Sequence, residues 1–169
     1  ALLLLADLYQ MQGLYEVSER KLLHAKNILP DEIVIDFALG ELYAEMGKTV
    51  KAIQAYEDVL REKNEIAGVN VQQRLAEILS ASGAFEEALP HYEKALADKL
   101  EINTLFGYAF TALQAGHNRI AINKFQELRD LDHEYHSVYL HLARAYEREE
   151  ELEKSLEVIQ EGIKQDEFN

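Results

Sequence analysis

The chain has 169 residues, enough for one substantial core, and is 48% hydrophobic and 28% charged, an ordinary balance for a globular protein. It contains no cysteine, which excludes disulfides, thiolate metal sites and cysteine nucleophiles and is compatible with the cytoplasm. A net charge of -14 repels nucleic acid and anionic membrane surfaces on average, and it steers basic peptides or basic protein patches towards the chain.

The opening segment, Ala1-Leu2-Leu3-Leu4-Leu5-Ala6, has no basic residue before it and is interrupted by Asp7, which argues against a signal peptide. No stretch approaches the roughly 20 apolar residues of a membrane span. A start inside an apolar run, without an initiator methionine, reads as a fragment or a processed form of something longer. Proline occurs only at Pro30 and Pro90, so long stretches are free to be helical. Helices are predicted over 1–12 and 15–29 on either side of Gly13, and over 32–46 and 48–63 around Gly47. They continue over 67–82 and 84–98 around Gly83, then 101–115 and 118–131 around Gly116. The last pair, 135–149 and 151–165, turns at Glu150. The longest irregular stretch is expected from Asn64 to Gly68, where two extra residues enter.

The turn positions are spaced 34, 36, 33 and 34 residues apart, the period of a two-helix unit. Aligned on them, the chain falls into columns. A bulky-small pair recurs as Leu5-Ala6, Leu39-Gly40, Leu75-Ala76, Tyr108-Ala109 and Leu142-Ala143. Just before each turn stand Tyr9, Tyr43, Leu79, Ala112 and Tyr146. After it come the small residues Ser18, Ala52, Ala88, Ala121 and Ser155. The large Leu22, Tyr56, Tyr92, Phe125 and Ile159 follow, and then Ala25, Val59, Ala95, Leu128 and Gly162. Small residues in both helices of a pair let the two approach closely where they cross, and the large ones fill the flanks. Each turn glycine is expected in a left-handed conformation that ends the first helix. One pair cannot bury its own apolar face, so neighbouring pairs must stack.

These columns resemble the tetratricopeptide repeat over essentially the whole chain. Several features depart from that pattern. Only Pro30 matches the family's proline at the end of the second helix, tryptophan is absent, and Glu150 replaces the last turn glycine. The resemblance implies an all-α fold, a right-handed superhelix of antiparallel helix pairs. It forms one solenoid domain over 1–169, with units near 1–32, 33–68, 69–101, 102–135 and 136–169. It also implies that the first helix of each pair lines a concave groove.

Helical spacing then assigns the groove-facing positions. The first unit offers Leu3, Leu4, Asp7, Gln10 and Met11, and the second Val34, Phe37, Ala38, Glu41 and Glu45. The third offers Asn70, Gln73, Arg74, Glu77 and Ser80, and the fourth Asn103, Phe106, Gly107, Phe110 and Gln114. The fifth offers Leu140, His141, Arg144, Glu147 and Arg148. Phe37, Phe106 and Phe110 are expected to face the groove as aromatic anchors, or else to pack against neighbouring helices. Asp7, Glu41 and Glu77 share one column, so the groove reads as acidic early, aromatic in the middle and partly basic late. The candidate ligand-binding residues are Phe37, Glu41, Arg74, Glu77, Asn103, Phe106, Phe110, Arg144 and Arg148.

Co-chaperone members of the family grip a carboxylate tail with a clamp of Lys, Asn and Arg. The matching positions here hold Leu3 and Asp7, then Ala38, then Asn70 and Arg74, of which only Arg74 fits. Asp7 would repel a carboxylate, so that use is not expected. No catalytic constellation stands out either. His133, His136 and His141 do not share one helix face, and no Cys, HExxH, GxGxxG or Walker pattern accompanies them. The expected function is a non-catalytic scaffold, without metal or cofactor, that binds a protein or peptide carrying basic and apolar residues. Two alternatives are a peptide-sensing domain of a larger regulator and a unit that self-associates through the apolar segments Leu2–Leu5 and Val158–Ile163.

Overall fold

The computed structural model describes residues 1–62, 66 and 69–167. The predicted helix end at 63, the helix start at 67, and Asn64 and Gly68 at the limits of the irregular stretch lie outside these residues. Ten α-helices, and no strand, are found among the described residues. They are α1 (Leu2–Met11), α2 (Tyr15–Ile28), α3 (Ile33–Glu45), α4 (Thr49–Arg61) and α5 (Val71–Ala81). They continue with α6 (Phe85–Asp98), α7 (Ile102–Gln114), α8 (Asn118–Leu131), α9 (Ser137–Arg148) and α10 (Leu152–Glu167). α5 starts four residues later than the apolar pattern suggests, because the Asn70 side chain caps it by accepting from the Gln73 N–H at 3.1 Å. Pro90 lies inside α6 at an exposed position.

Why each first helix stops is visible in the backbone. Gly13, Gly47, Gly83 and Gly116 have φ of 73°, 69°, 85° and 86°, the left-handed region expected of them. The residue after the turn bonds back to the column just before it. Leu14 N–H donates to the Tyr9 carbonyl, Lys48 N–H to Tyr43 and His117 N–H to Ala112, each at 2.8 Å. Glu150 adopts the same conformation at φ 61°, and Glu151 N–H reaches the Tyr146 carbonyl at 2.9 Å. The last pair therefore makes the same turn without glycine.

The chain forms two compact units, Ala1–Ser82 and Gly83–Asn169. In the first, α1 packs on α2 and α3 on α4, while α2 meets α3 and α4 meets α5. Its core is built from Leu22, Ile35, Leu42, Tyr56, Val59 and Leu75, all essentially inaccessible to solvent. Gly40 shows what the small columns are for, since a Cβ there would sit 2.6 Å from the buried Tyr56 ring. Lys26 on α2 pairs with the largely buried Asp36 on α3 at 2.5 Å.

In the second unit α7 packs on α8 and α9 on α10, while α6 meets α7 and α8 meets α9. Leu105, Leu113, Phe125, Leu128, Val138 and Leu142 form its core. Tyr108 donates to Glu93 at 2.6 Å, and burial followed by that carboxylate pushes its phenol pKa well above the ordinary value. Gly162 allows α10 to lie close against α9, where a Cβ would stand 2.9 Å from the Tyr139 Cβ.

Candidate functional site

In the first unit, α1 and α3 lie side by side and leave a concavity of about 450 Å³. It is lined by Leu3, Asp7, Gln10, Met11, Val34, Phe37, Ala38, Glu41 and Glu45. Its apolar lining comes from Leu3, Met11, Val34, Phe37 and Ala38. The Phe37 ring is half-buried and leans on Tyr56 with centroids 5.9 Å apart. A second hollow of about 360 Å³ shares Glu41 and Glu45 and is closed by Tyr56, Arg74, Glu77, Ile78 and neighbouring residues of α3 to α5. Tyr56 belongs to the core columns, and its membership of this wall was not foreseen. A large residue in that column reaches through to the face with its hydroxyl.

The charges of this face are unevenly committed. The Tyr56 hydroxyl donates to Glu41 at 2.6 Å, and the Arg74 Nε stands 3.4 Å from the same carboxylate. Arg74 also meets Glu77 at 3.2 Å, and the Gln73 amide donates to Glu77 at 2.8 Å. Burial opposes the Arg74 charge, and Glu41 and Glu77 more than offset this, holding its pKa above the ordinary value. Arg74 is thus occupied by two carboxylates and is a poor receptor for a third. Asp7 and Glu45 have neither an ion pair nor a hydrogen bond among the described residues. Four carboxylates (Asp7, Glu41, Glu45, Glu77) face one guanidinium, so the face is strongly negative.

In the second unit the aromatic positions gather around His141. Phe106 and Phe110 are half-buried and stacked at 6.2 Å, and Phe106 also touches Phe125 at 5.8 Å and Tyr135 at 5.3 Å. The His141 ring lies nearly parallel to Phe125, with 16° between planes, and edge-on to Phe106 and Phe110. The Phe106 and Phe110 rings pack on these neighbours and stay half-buried. His141 Nδ1 is buried without a hydrogen-bond partner. Burial, and then the nearby Arg144, lower its pKa below the ordinary 6.5. Asn103 and Arg144 are exposed. Arg148 is engaged, because its guanidinium donates to the Leu113 carbonyl at the end of α7. Tyr135, in the loop before α9, was not foreseen as part of this cluster.

No group of three His, Asp or Glu side chains suited to a metal ion occurs among the described residues. His133 and His136 are exposed. No helix among the described residues is long and apolar enough to cross a membrane.

Three family profiles match the chain in succession. One described as YpiA-like, tetratricopeptide repeats, covers residues 10–64, and two described as tetratricopeptide repeat cover 73–103 and 111–169. The chain belongs to the tetratricopeptide repeat family. Among tetratricopeptide proteins it is similar to the TPR repeat-containing protein YpiA of Bacillus subtilis (strain 168), at 56% identity over all 169 residues. It spans only 40% of that relative's length. Solved tetratricopeptide structures share the all-α solenoid fold. MamA matches with a TM-score of 0.88 at 14% identity, over 96% of this chain and 88% of that one. MamA from Desulfovibrio magneticus RS-1 matches with 0.86 at 16%, over 98% and 93%. YrrB, described as a TPR protein with an unusual peptide-binding site, matches with 0.86 at 18%, over 97% and 84%.

Proposed function

We propose that this chain is a non-catalytic tetratricopeptide scaffold that holds a peptide or protein segment against the first-helix faces of its units. The observation that carries the reading is the concavity between α1 and α3. Its lining mixes apolar side chains with acidic ones, and two of its carboxylates, Asp7 and Glu45, have no partner among the described residues. Such a surface suits a lysine or arginine whose methylene stem lies on Leu3, Phe37 and Ala38 while its head meets the carboxylates. Apolar neighbours of that basic residue would find Val34 and Met11 at the edges. The half-buried Phe106 and Phe110 offer a second contact region within the other unit.

Burying roughly 300 Å² of apolar surface at about 25 cal/mol per Å² gives about 7 kcal/mol before the costs of association. Those costs run to about 4 kcal/mol or more, which leaves specificity to the charges. YrrB, described as having a peptide-binding site, supports the class of partner but not the residues. A cytoplasmic setting belongs to the same reading and is compatible with a cysteine-free sequence.

Selection from a random displayed-peptide library on the immobilised chain tests this. The expected winners carry Lys or Arg beside apolar residues, and they are lost with Asp7→Asn/Glu45→Gln but kept with Glu86→Gln. If no sequence is enriched, the scaffold has no peptide groove. Enrichment that survives the double variant but falls with Phe106→Ala/Phe110→Ala would move the site to the second unit.

A further inference from the structure

The second hollow of the first unit, about 360 Å³ between α3 and α5, is lined by no residue of α1. Three carboxylates, Glu41, Glu45 and Glu77, stand around it with a single cation, Arg74. Ala44, Ile78 and Ala81 supply apolar wall. The acids alone would be an ordinary solvated patch. What sets this hollow apart is that a guanidinium already lies in it, so it has the room and the charge for that group.

Arg74 is loosely held there. Its Nε stands 3.4 Å from Glu41 Oε1 and its Nη1 3.2 Å from Glu77 Oε2. Both are longer than the about 2.7–2.9 Å of a well-formed hydrogen bond between ions. The side chain is 48% exposed and has no other ion pair or hydrogen bond among the described residues. The carboxylates are fixed better than the cation. Glu41 accepts at 2.6 Å from the hydroxyl of the buried Tyr56, and Glu77 accepts at 2.8 Å from Gln73. Both contacts of Glu41 fall on Oε1, so Oε2 has no partner among the described residues, and neither has Glu45. The receptor is therefore pre-set, while its occupant sits on a long side chain that can turn out into water.

We propose that Arg74 is a built-in competitor, filling the seat between α3 and α5 that an arginine or lysine of a partner segment takes on binding. This exchange rests on the reading that the first-helix faces hold a basic segment, and it adds a second seat and the residue that guards it. Replacing one cation by another keeps the carboxylates paired throughout. A lone cation gains little from that, whereas a cation whose neighbours also find apolar contacts displaces Arg74, so the guard sharpens the choice of partner.

Isothermal titration with the acetylated and amidated peptide Leu-Arg-Leu-Arg-Leu tests this at fixed salt, with circular dichroism to verify that each variant is folded. Arg74→Gln is expected to bind about five-fold more tightly than the wild type, the scale of a partly exposed ion pair. Lys48→Gln removes one positive charge from the same unit, but from a pair with Glu19 outside the hollow. It is expected to change affinity by less than about two-fold, because exposed charges at a distance are screened. Adding Glu77→Gln to Arg74→Gln should cancel the gain. Arg74→Met serves in place of Arg74→Gln if the latter loses helicity. Equal affinities for wild type, Arg74→Gln and Lys48→Gln overturn the exchange, and if Asp7→Asn still weakens binding the scaffold reading stands. Equal gains from Arg74→Gln and Lys48→Gln overturn it too, since overall charge then explains the effect. So does binding of the matching peptide Leu-Glu-Leu-Glu-Leu that is lost with Arg74→Gln, which would make Arg74 a receptor for carboxylates. No binding of either peptide by wild type or Arg74→Gln overturns both the exchange and a peptide groove in the first unit.

Discussion

The Tyr56 hydroxyl donates a 2.6 Å hydrogen bond to Glu41, which joins a fully packed core ring to the carboxylate at the centre of the acidic face. Burial, and then Glu41, push the phenol pKa far above its ordinary value, so it remains a donor at any physiological pH. Tyr56→Phe keeps the ring on Phe37 and removes the donor. Bonds to charged acceptors contribute about 1.5–3 kcal/mol, and Arg74 still compensates Glu41 in part, so a loss near the lower end is expected. The shift of the urea midpoint measures it.

Gly40 is where the same ring meets the crossing helix. A methyl group there would come within 2.6 Å of Tyr56, whose hydroxyl is tied to Glu41 and whose ring cannot swing out. Gly40→Ala is expected to cost about 1–3 kcal/mol through overpacking. Combining it with Tyr56→Leu should cost less than the sum of the two single changes, and a double-mutant cycle in urea reads that difference.

Glu150 occupies the left-handed conformation that glycine holds in the other four turns. Its side chain is exposed and makes no ion pair or hydrogen bond among the described residues, so nothing offsets the backbone cost. Glu150→Gly is expected to raise stability by about 1 kcal/mol. Thermal unfolding followed by circular dichroism would show the midpoint move upward, while a downward shift would mean that the carboxylate has a role of its own.

His141 gives the fold a dependence on pH. Burial, with Arg144 adding to it, lowers its pKa in the folded chain below the ordinary 6.5. Between the folded and unfolded values the unfolded chain binds the extra proton, so stability falls as pH drops below about 6.5 and is fully present above it. His141→Phe should remove this component and leave only the slope due to carboxylates. Urea titrations of both chains from pH 7.5 downward give the comparison.

Much of the fold was legible because its constraints recur. Glycine at 13, 47, 83 and 116 marks conformations that other residues rarely take, and the small columns mark helix crossings. The turn at Glu150 was placed by period alone, and the structure makes the same hydrogen bond there. The late start of α5 was less legible, because a side-chain cap at Asn70 competes with an apolar pattern that reads as helix earlier. At the candidate site, helical spacing finds which residues share a face but not what each one spends its charge on. Arg74 and Arg148 look alike in sequence. One is held by Glu41 and Glu77, and the other ties down the end of α7. Tyr135 escaped notice because it lies in a loop, where no periodicity applies.

The turn at Glu150 has a mechanical consequence. Its left-handed backbone is held in place by the docking of α10 on α9, so detaching α10 lets the turn relax and recovers conformational energy that the glycine turns never stored. The hinge acts as a weak spring pushing the last helix off. Release of α10 should therefore be the first opening event of its unit, seen as the fastest amide exchange among α7 to α10. Any molecule that clasps α10 would silence that exchange before it changed anything else.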